Sequence, residues 1–464
     1  MTIADATPDF EQVDRNDRAF LGHPKGLGFL GFTEACERFS YYSMQTLLVL
    51  YMVNYLLLPE HIGKVAGLAW LRSWHYPGLD GQPLSSAIFG DYTSLVYLTP
   101  IIGGIIADRL TGRRIAMIAG GLVMALGHFL MAFEGAFLFA LVSLIIGVGL
   151  FKGNIATQVG ELYEENDLRR AMAFQIFYIF INVSVIIAPL VSGTLGQKVG
   201  WHYGFGCAGV VMVLGLAIYL WGQPWLSADR RPARTDSRPR EKLSRGDWAC
   251  VTYLLILIPV MAIALLTNQE IFNAYLVWGD QQFDLTLLNN TSSWLITLDA
   301  ALSFSMLVAV AAFWKWYGTK RREPDEVEKM IIGSLFSIAG GMCLFMAALT
   351  QPAGGKVSLF WPVMFHLLNS IAFAHILPVS LALFSKIAPR QIGGTVIGLY
   401  YLAFFIANKV VGYVGGLYSS LPTTTFWLIH VASAAFGLVA FVVFKMVIGR
   451  RMMGSPQDQA AALG

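Results

Sequence analysis

Long apolar runs separated by short polar breaks dominate this chain. Read at helical spacing, they predict twelve membrane-crossing helices, each of roughly twenty residues or more. The predicted spans are 26–57, 86–107, 114–134, 137–157, 171–195, 201–222, 248–279, 293–316, 330–350, 359–386, 392–418 and 424–446. The most polar break, QPWLSADRRPARTDSRPREKLSRGD, follows the sixth run and divides the chain into six spans plus six. The organisation expected is a polar tail (1–25), a six-helix bundle (26–222), a linker (223–247), a second six-helix bundle (248–448) and a tail (449–464).

Composition agrees with a polytopic membrane protein. The 464 residues are 56% hydrophobic and 13% charged, with a mean hydropathy of +0.59. A soluble domain carries about 25% charged residues. The placement of positive charge is more informative than the net +3. If both termini are cytoplasmic, the inside segments hold about 25 of the 32 lysines and arginines, and the outside loops hold only Lys64, Arg72, Lys198 and Lys356. That bias predicts a multi-pass protein of the cell membrane with both ends inside. No Walker-type phosphate loop is present, so ATP is not the expected energy source. The first 25 residues show no signal-peptide pattern. Cys36, Cys207, Cys250 and Cys343 stand singly and are expected as free thiols, with no metal site. No nucleophile–base pair at usable spacing suggests an enzyme, and nothing points to nucleic acid.

A six-plus-six arrangement with both ends inside suggests an all-α membrane protein of the major facilitator architecture, in which two bundles rock around a central cavity. GGIIADRLTGRR (103–114) fits that architecture: Asp108, Arg109 and the basic residues after them would tie helix ends together between spans two and three.

Charge within the spans carries the functional signal, because a charge at mid-membrane costs about 2.5–3.5 kcal/mol on insertion scales. EACERFSYY (34–42) puts Glu34 and Arg38 four residues apart, on one helical face, with Glu37, Tyr41 and Tyr42 in the same sector. The bland reading is a satisfied ion pair joining helices. Against it, the second acid exceeds what a single arginine needs. Lys152, in GVGLFKGN on the fourth span, lies between Gly149 and Gly153, which permit close helix approach. It would reach a carboxylate of the first span. Protonating Glu34 or Glu37 would then release Lys152 to an anionic group of a ligand.

At these residues the sequence resembles a known family. EACERFSYY matches every position of the ExxERFxYY motif of the proton-dependent oligopeptide transporters. The resemblance continues through YLTPIIGGIIADRLTGRR, GLFKGN, GELYEENDLRRAMAFQIFYIFINV and GWHYGFGCAGV, and returns in KIAPRQIGGTVIGLYYLAFFIAN. It is dense over 26–222 and thinner afterwards. The resemblance implies a symporter that imports di- and tripeptides with protons, driven by the proton gradient without a cofactor, and acting as a monomer in the bilayer. Glu34, Glu37, Arg38 and Lys152 would carry proton coupling, with Arg38 and Lys152 also holding the peptide carboxylate. Tyr41, Tyr42, Tyr97 and Asn182 would line the peptide site.

The second half departs from the family pattern. Where the family commonly has an arginine on the first span, this chain has Gln45; its usual acidic partner on the seventh falls on Gln269, with Glu270 one position on. Either a Gln45–Gln269 hydrogen bond replaces the ion pair, or Glu270 is the gating acid. The acid that commonly holds the substrate amine on the tenth span is Phe373 here, and the usual tryptophan of the eleventh is Tyr400. Asp299 on the eighth span either takes over the amine or pairs with Lys409. Lys409 itself either pairs with Glu270 or snorkels to the headgroups. His375 is either a proton relay or a residue that satisfies a backbone carbonyl. Pro100, Pro189 and Pro378 are expected at kinks or hinges. Two alternatives stand beside peptide symport: carriage of modified peptides or another small organic anion, and a transport-inactive receptor on the same fold.

Overall fold

The computed structural model describes residues 17–164, 167–227, 243–389 and 392–449. The first bundle comprises α1 (Lys25–Tyr51), α2 (Gly81–Ile106), α3 (Arg113–Leu130), α4 (Phe137–Glu161), α5 (Arg169–Ala188) and α6 (Trp201–Gly222). The second comprises α7 (Arg245–Ala264), α8 (Trp294–Gly318), α9 (Glu326–Leu349), α10 (Phe360–Ile387), α11 (Leu402–Gly416) and α12 (Thr423–Phe444). Among the described residues, ten helical segments are long and apolar enough to cross a membrane. The two further spans, α1 and α2, carry much of the polar interior.

Local chemistry sets the ends of these helices. Ser244 accepts from the Asp247 amide while Asp247 bonds back to the Ser244 amide, which starts α7 with a reciprocal cap. Asp325 and Glu328 do the same for α9. Pro100, Pro259 and Pro378 lie inside α2, α7 and α10. Pro189 stands where α5 loosens into wider turns, Pro189–Gly193.

Two spans differ from the expected continuous helices. The seventh stops at Ala264, turns through 266–272 and resumes as Ala274–Gln282. Asn273 has φ −118° and ψ −115°, outside the helical region, and the Glu270 carboxylate accepts from the Ala274 amide (3.1 Å), replacing a lost backbone acceptor. The eleventh is interrupted at Tyr401, between Gly393–Tyr400 and α11. The break between the first and second spans contains two short helices, Pro59–Ile62 and Leu68–Trp74, too brief for a hydrophobic period to reveal.

The bundles meet on the side away from the chain termini. There α2 crosses α11 so closely that a Cβ on Gly90 would lie 2.5 Å from the Gly412 Cα. α5 meets α8: Ser293 donates to the Pro189 carbonyl (3.2 Å), Trp294 to Thr194 (2.9 Å) and Thr297 to the Ile186 carbonyl (3.0 Å). Asn54 and Gln197 donate to Asp280, and Ser86 donates to Asn273. Among the described residues, no hydrogen bond joins the bundles on the terminal side. The apolar core follows this division. One buried cluster runs through both bundles and joins their outer halves, and a second, around Met261, Leu383 and Phe441, lies in the inner half of the second bundle, with Tyr97 of the first bundle packed against it. The structure is therefore closed away from the termini.

Candidate functional site

The polar sector of α1 is buried. Glu37 is fully enclosed, and Glu34 and Arg38 are 4% exposed. The Arg38 Nε lies 3.2 Å from Glu34 and also donates to the Glu37 carboxylate. One guanidinium thus holds both acids. The second oxygen of each acid, one Arg38 amino group and the Tyr41 hydroxyl have no partner among the described residues. A buried, incompletely satisfied polar network is costly, and these atoms are enclosed by the protein.

Lys152 faces this sector but does not bond a carboxylate there. Its ammonium lies 4.8 Å from the Tyr97 ring and 5.6 Å from the Tyr41 ring, which are cation–π distances. The Arg38 guanidinium sits 5.2 Å over Tyr41. Tyr41 therefore lies between the two cations. The expected contact of Lys152 with a first-span carboxylate is replaced by this aromatic cradle. The reason lies in the packing of α4. Gly149 meets α2, where a Cβ would lie 2.8 Å from Thr99, so the close approach joins α4 to α2 rather than to α1. With two acids and two bases, the formal charge of the cluster is zero.

The remaining sequence-predicted residues divide between the two bundles. Tyr42 is half-buried and tilts against Phe272 across the bundle interface (6.4 Å). Asn182 bonds the Tyr178 carbonyl of its own helix (2.8 Å). Tyr97 stacks on Phe404 of α11 (5.0 Å). Tyr400 is buried and its hydroxyl meets Ser380 (3.0 Å). Phe373 is half-buried on α10. Asp108 accepts from Arg113 (3.2 Å), and Arg113 also reaches Glu161, which ties α2, α3 and α4 together at the terminal side; Arg109 is exposed beside them.

Several expected pairings are corrected. Gln45 is buried but does not bond Gln269, whose carbonyl accepts from Asn408 on α11 (3.4 Å). Glu270 does not pair with Lys409. The break in the seventh span turns it towards His430 on α12 (3.6 Å). Lys409 neither snorkels nor meets Asp299. It forms an ion pair with Asp91 on α2, the one ion pair joining the bundles among the described residues. His75 (2.7 Å) and Tyr76 (2.9 Å) hold the other Asp91 oxygen. Asp299 instead accepts from His366 Nδ1 (2.9 Å), whose Nε2 accepts from the Tyr275 hydroxyl (2.7 Å). His375 donates to the Ile371 carbonyl (2.8 Å) and accepts from Trp314 (3.1 Å), so both ring nitrogens are occupied. All four cysteines are free, and no group of His, Cys, Asp and Glu suited to a metal occurs among the described residues.

Known proteins resemble this chain along most of its length. The family profile described as POT family (PTR2) matches residues 114–238. A peptide transporter of Yersinia enterocolitica is 29% identical, over 96% of this chain and 98% of its own length. A di-/tripeptide transporter of Lactococcus lactis subsp. lactis is 25% identical over 96% and 99%. A crystal structure of a peptide transporter POT in complex with sulfate superposes with a TM-score of 0.81 at 26% identity, covering 94% of this chain and 97% of the other. The chain is similar to POT family transporters along nearly its whole length. Its fold is the major facilitator fold of twelve membrane helices in two six-helix bundles.

Within this site, sequence reasoning missed Asp91 and His430. Asp91 had one signal, the unbalanced charge of Lys409 on a distant span. His430 lies alone in the apolar WLIHVAS and carried none.

Proposed function

We propose that this protein is a proton-coupled symporter of short peptides that works by alternating access. The observation that carries the reading is the buried Glu34–Glu37–Arg38 network beside Lys152. It holds two acids on one arginine, with unpartnered oxygens facing the same sector as a second cation. Arginine keeps its proton under all physiological conditions, so the acids are the groups that exchange one. Protonating them weakens their hold on Arg38. A peptide carboxylate then takes the place beside Arg38 and Lys152, with Tyr41, Tyr42, Tyr97 and Asn182 around the backbone. Asp299, its side chain 14% exposed and oriented by His366, receives the amine in place of the acid absent at Phe373. The closed outer side corresponds to the stage that releases ligands on the terminal side, which we assign to the cytoplasm of the cell. The membrane potential contributes about 2.3 kcal/mol per charge per 100 mV. Transport by a monomer in the bilayer, without catalysis or a cofactor, completes the reading.

The departure at Phe373 favours a second reading, in which the carried molecule lacks a free amine. Purified protein in liposomes separates the two. With an inside-negative potential and an inward proton gradient, internal acidification is followed on adding di- and tripeptides, free or N-blocked. Acidification with free peptides alone supports peptide symport with an amine site. Acidification with blocked peptides supports the second reading, and no response to either refutes both.

A further inference from the structure

We propose that Glu270 and His430 form a buried proton-binding pair, and that closure of the outer side requires it to hold one proton. Both side chains are fully enclosed. The His430 Nδ1 lies 3.0 Å from the Phe426 carbonyl, one turn back on α12. A carbonyl only accepts, so Nδ1 carries a hydrogen. In a neutral ring Nε2 is then a bare acceptor, and it faces Glu270 Oε2 at 3.6 Å. Neither atom has another partner among the described residues. Two acceptors do not face each other in a dry site without a cost. One proton resolves the conflict, either on the carboxylate or on the ring, and the pair is neutral in both forms. Without it, a carboxylate is enclosed with no cation.

The surroundings offer no substitute. On its own span Glu270 bonds the Ala274 amide, and Tyr275 is turned to His366. On α11 it meets the backbone of Gly415, where a Cβ would lie 2.6 Å from Oε1; Asn408 bonds Gln269, and Lys409 is committed to Asp91. On α12 Trp427 and Phe426 pack against the His430 ring. On α2, Gln82 and Ser86 are uncharged, and on α10 both ring nitrogens of His366 are occupied.

The pair sits at the break that aims the outer segment of the seventh span. Asn273, three residues after Glu270, accepts from Ser86 of the first bundle and donates to the Val411 carbonyl (3.2 Å). Losing the proton therefore strains the joint that carries an outer contact between the bundles. The inference rests on the alternating-access reading but not on the identity of the substrate.

The test uses full-length protein in lipid nanodiscs without substrate. Spin labels at Glu60→Cys and Leu287→Cys, in a background lacking the four native cysteines, report the width of the outer mouth by pulsed electron resonance. Between about pH 5 and about pH 9, the closed-to-open ratio of the parent is expected to fall by up to about tenfold per pH unit through the transition. In Glu270→Gln the carboxamide donates to His430 permanently, so this component is expected to vanish and the mouth to stay closed. His430→Gln should move the transition. A parent ratio indifferent to pH, or a Glu270→Gln variant that titrates as the parent does, overturns the proposal. Recovery of the parent distance at low pH shows that a variant is folded. Peptide uptake plays no part in the readout, so a wrong substrate does not affect it.

Discussion

Gly90→Ala tests whether the α2–α11 crossing is the point at which the outer side closes. The added Cβ would lie 2.5 Å from the Gly412 Cα, 2.7 Å from the Asn408 carbonyl oxygen and 2.8 Å from the Gly412 nitrogen. These are backbone atoms and cannot turn aside. Carbon atoms in contact sit about 3.5–4.0 Å apart, so the helices must part by on the order of 1 Å. Overpacking of this kind costs about 1–3 kcal/mol, which shifts the closed-to-open ratio about 5- to 160-fold towards an open outer side. Only the closed state pays this cost. In the open state alanine gains about 1 kcal/mol of helix propensity over glycine, so thermal stability should not fall. The outer-mouth spin-label distance measures the shift. Gly412→Ala should act in the same direction but less, because its Cβ would meet Gly90 Cα at 3.0 Å. Gly206→Ala, with nothing within 4 Å, is the control. If Gly90→Ala keeps the parent distance and the parent uptake rate, the crossing is not the closing contact.

Three further outcomes follow from the same geometry. The Asp91–Lys409 pair is partly exposed, at 21% and 42%, so a double-mutant cycle on the outer-mouth ratio should give a coupling of about 0.2–1 kcal/mol; exchanging the two residues should restore closure, and zero coupling would remove the pair from the gate. Asp299→Asn should raise KM for peptides with a free amine by about 30-fold or more, the cost of truncating a buried charge partner, and should leave N-blocked ligands unaffected; unchanged KM for free peptides would exclude Asp299 from the amine site. Glu37→Gln removes a proton acceptor from the α1 network, so gradient-driven uptake should be lost while exchange of internal for external peptide persists; loss of both would mean that Glu37 is needed for binding rather than coupling.

Most of the fold was legible in the apolar runs, because a span in lipid must satisfy its own backbone and so repeats one local pattern. The α1 network was legible for the same reason in reverse: charge is rare in such runs, and the four-residue spacing of Glu34 and Arg38 fixes their contact within one helix. Contacts between helices were less legible. Lys152 was placed against α1 by its chemistry, but the glycine beside it matched α2. Lys409 signalled that it needed an acid without saying which, and spacing along one chain does not tell Asp91 from Glu270. The seventh span was misjudged because its hydropathy continues through Asn273 while its backbone does not. That break decides whether Gln269 or Glu270 faces the first bundle, and in this structure neither meets Gln45.

The two bundles hold their buried acids by different means. In the first, Glu34 and Glu37 share Arg38, whose charge is permanent, so a proton entering there must land on a carboxylate and loosen a fixed ion pair. In the second, Asp299 and Glu270 each face a histidine, a base that can itself hold the proton. His366 is saturated, donating to Asp299 and accepting from Tyr275, so it orients the acid without needing another proton. His430 is not, because its only donor is committed to Phe426. The chain thus combines an arginine-held network suited to exchanging a proton for a ligand carboxylate, an oriented acid suited to a ligand cation, and an enclosed pair that is neutral only when protonated. On the proposed function the first two would meet the ligand; the third sits at the joint of the seventh span, where protonation would act on the outer contact between the bundles rather than on the ligand.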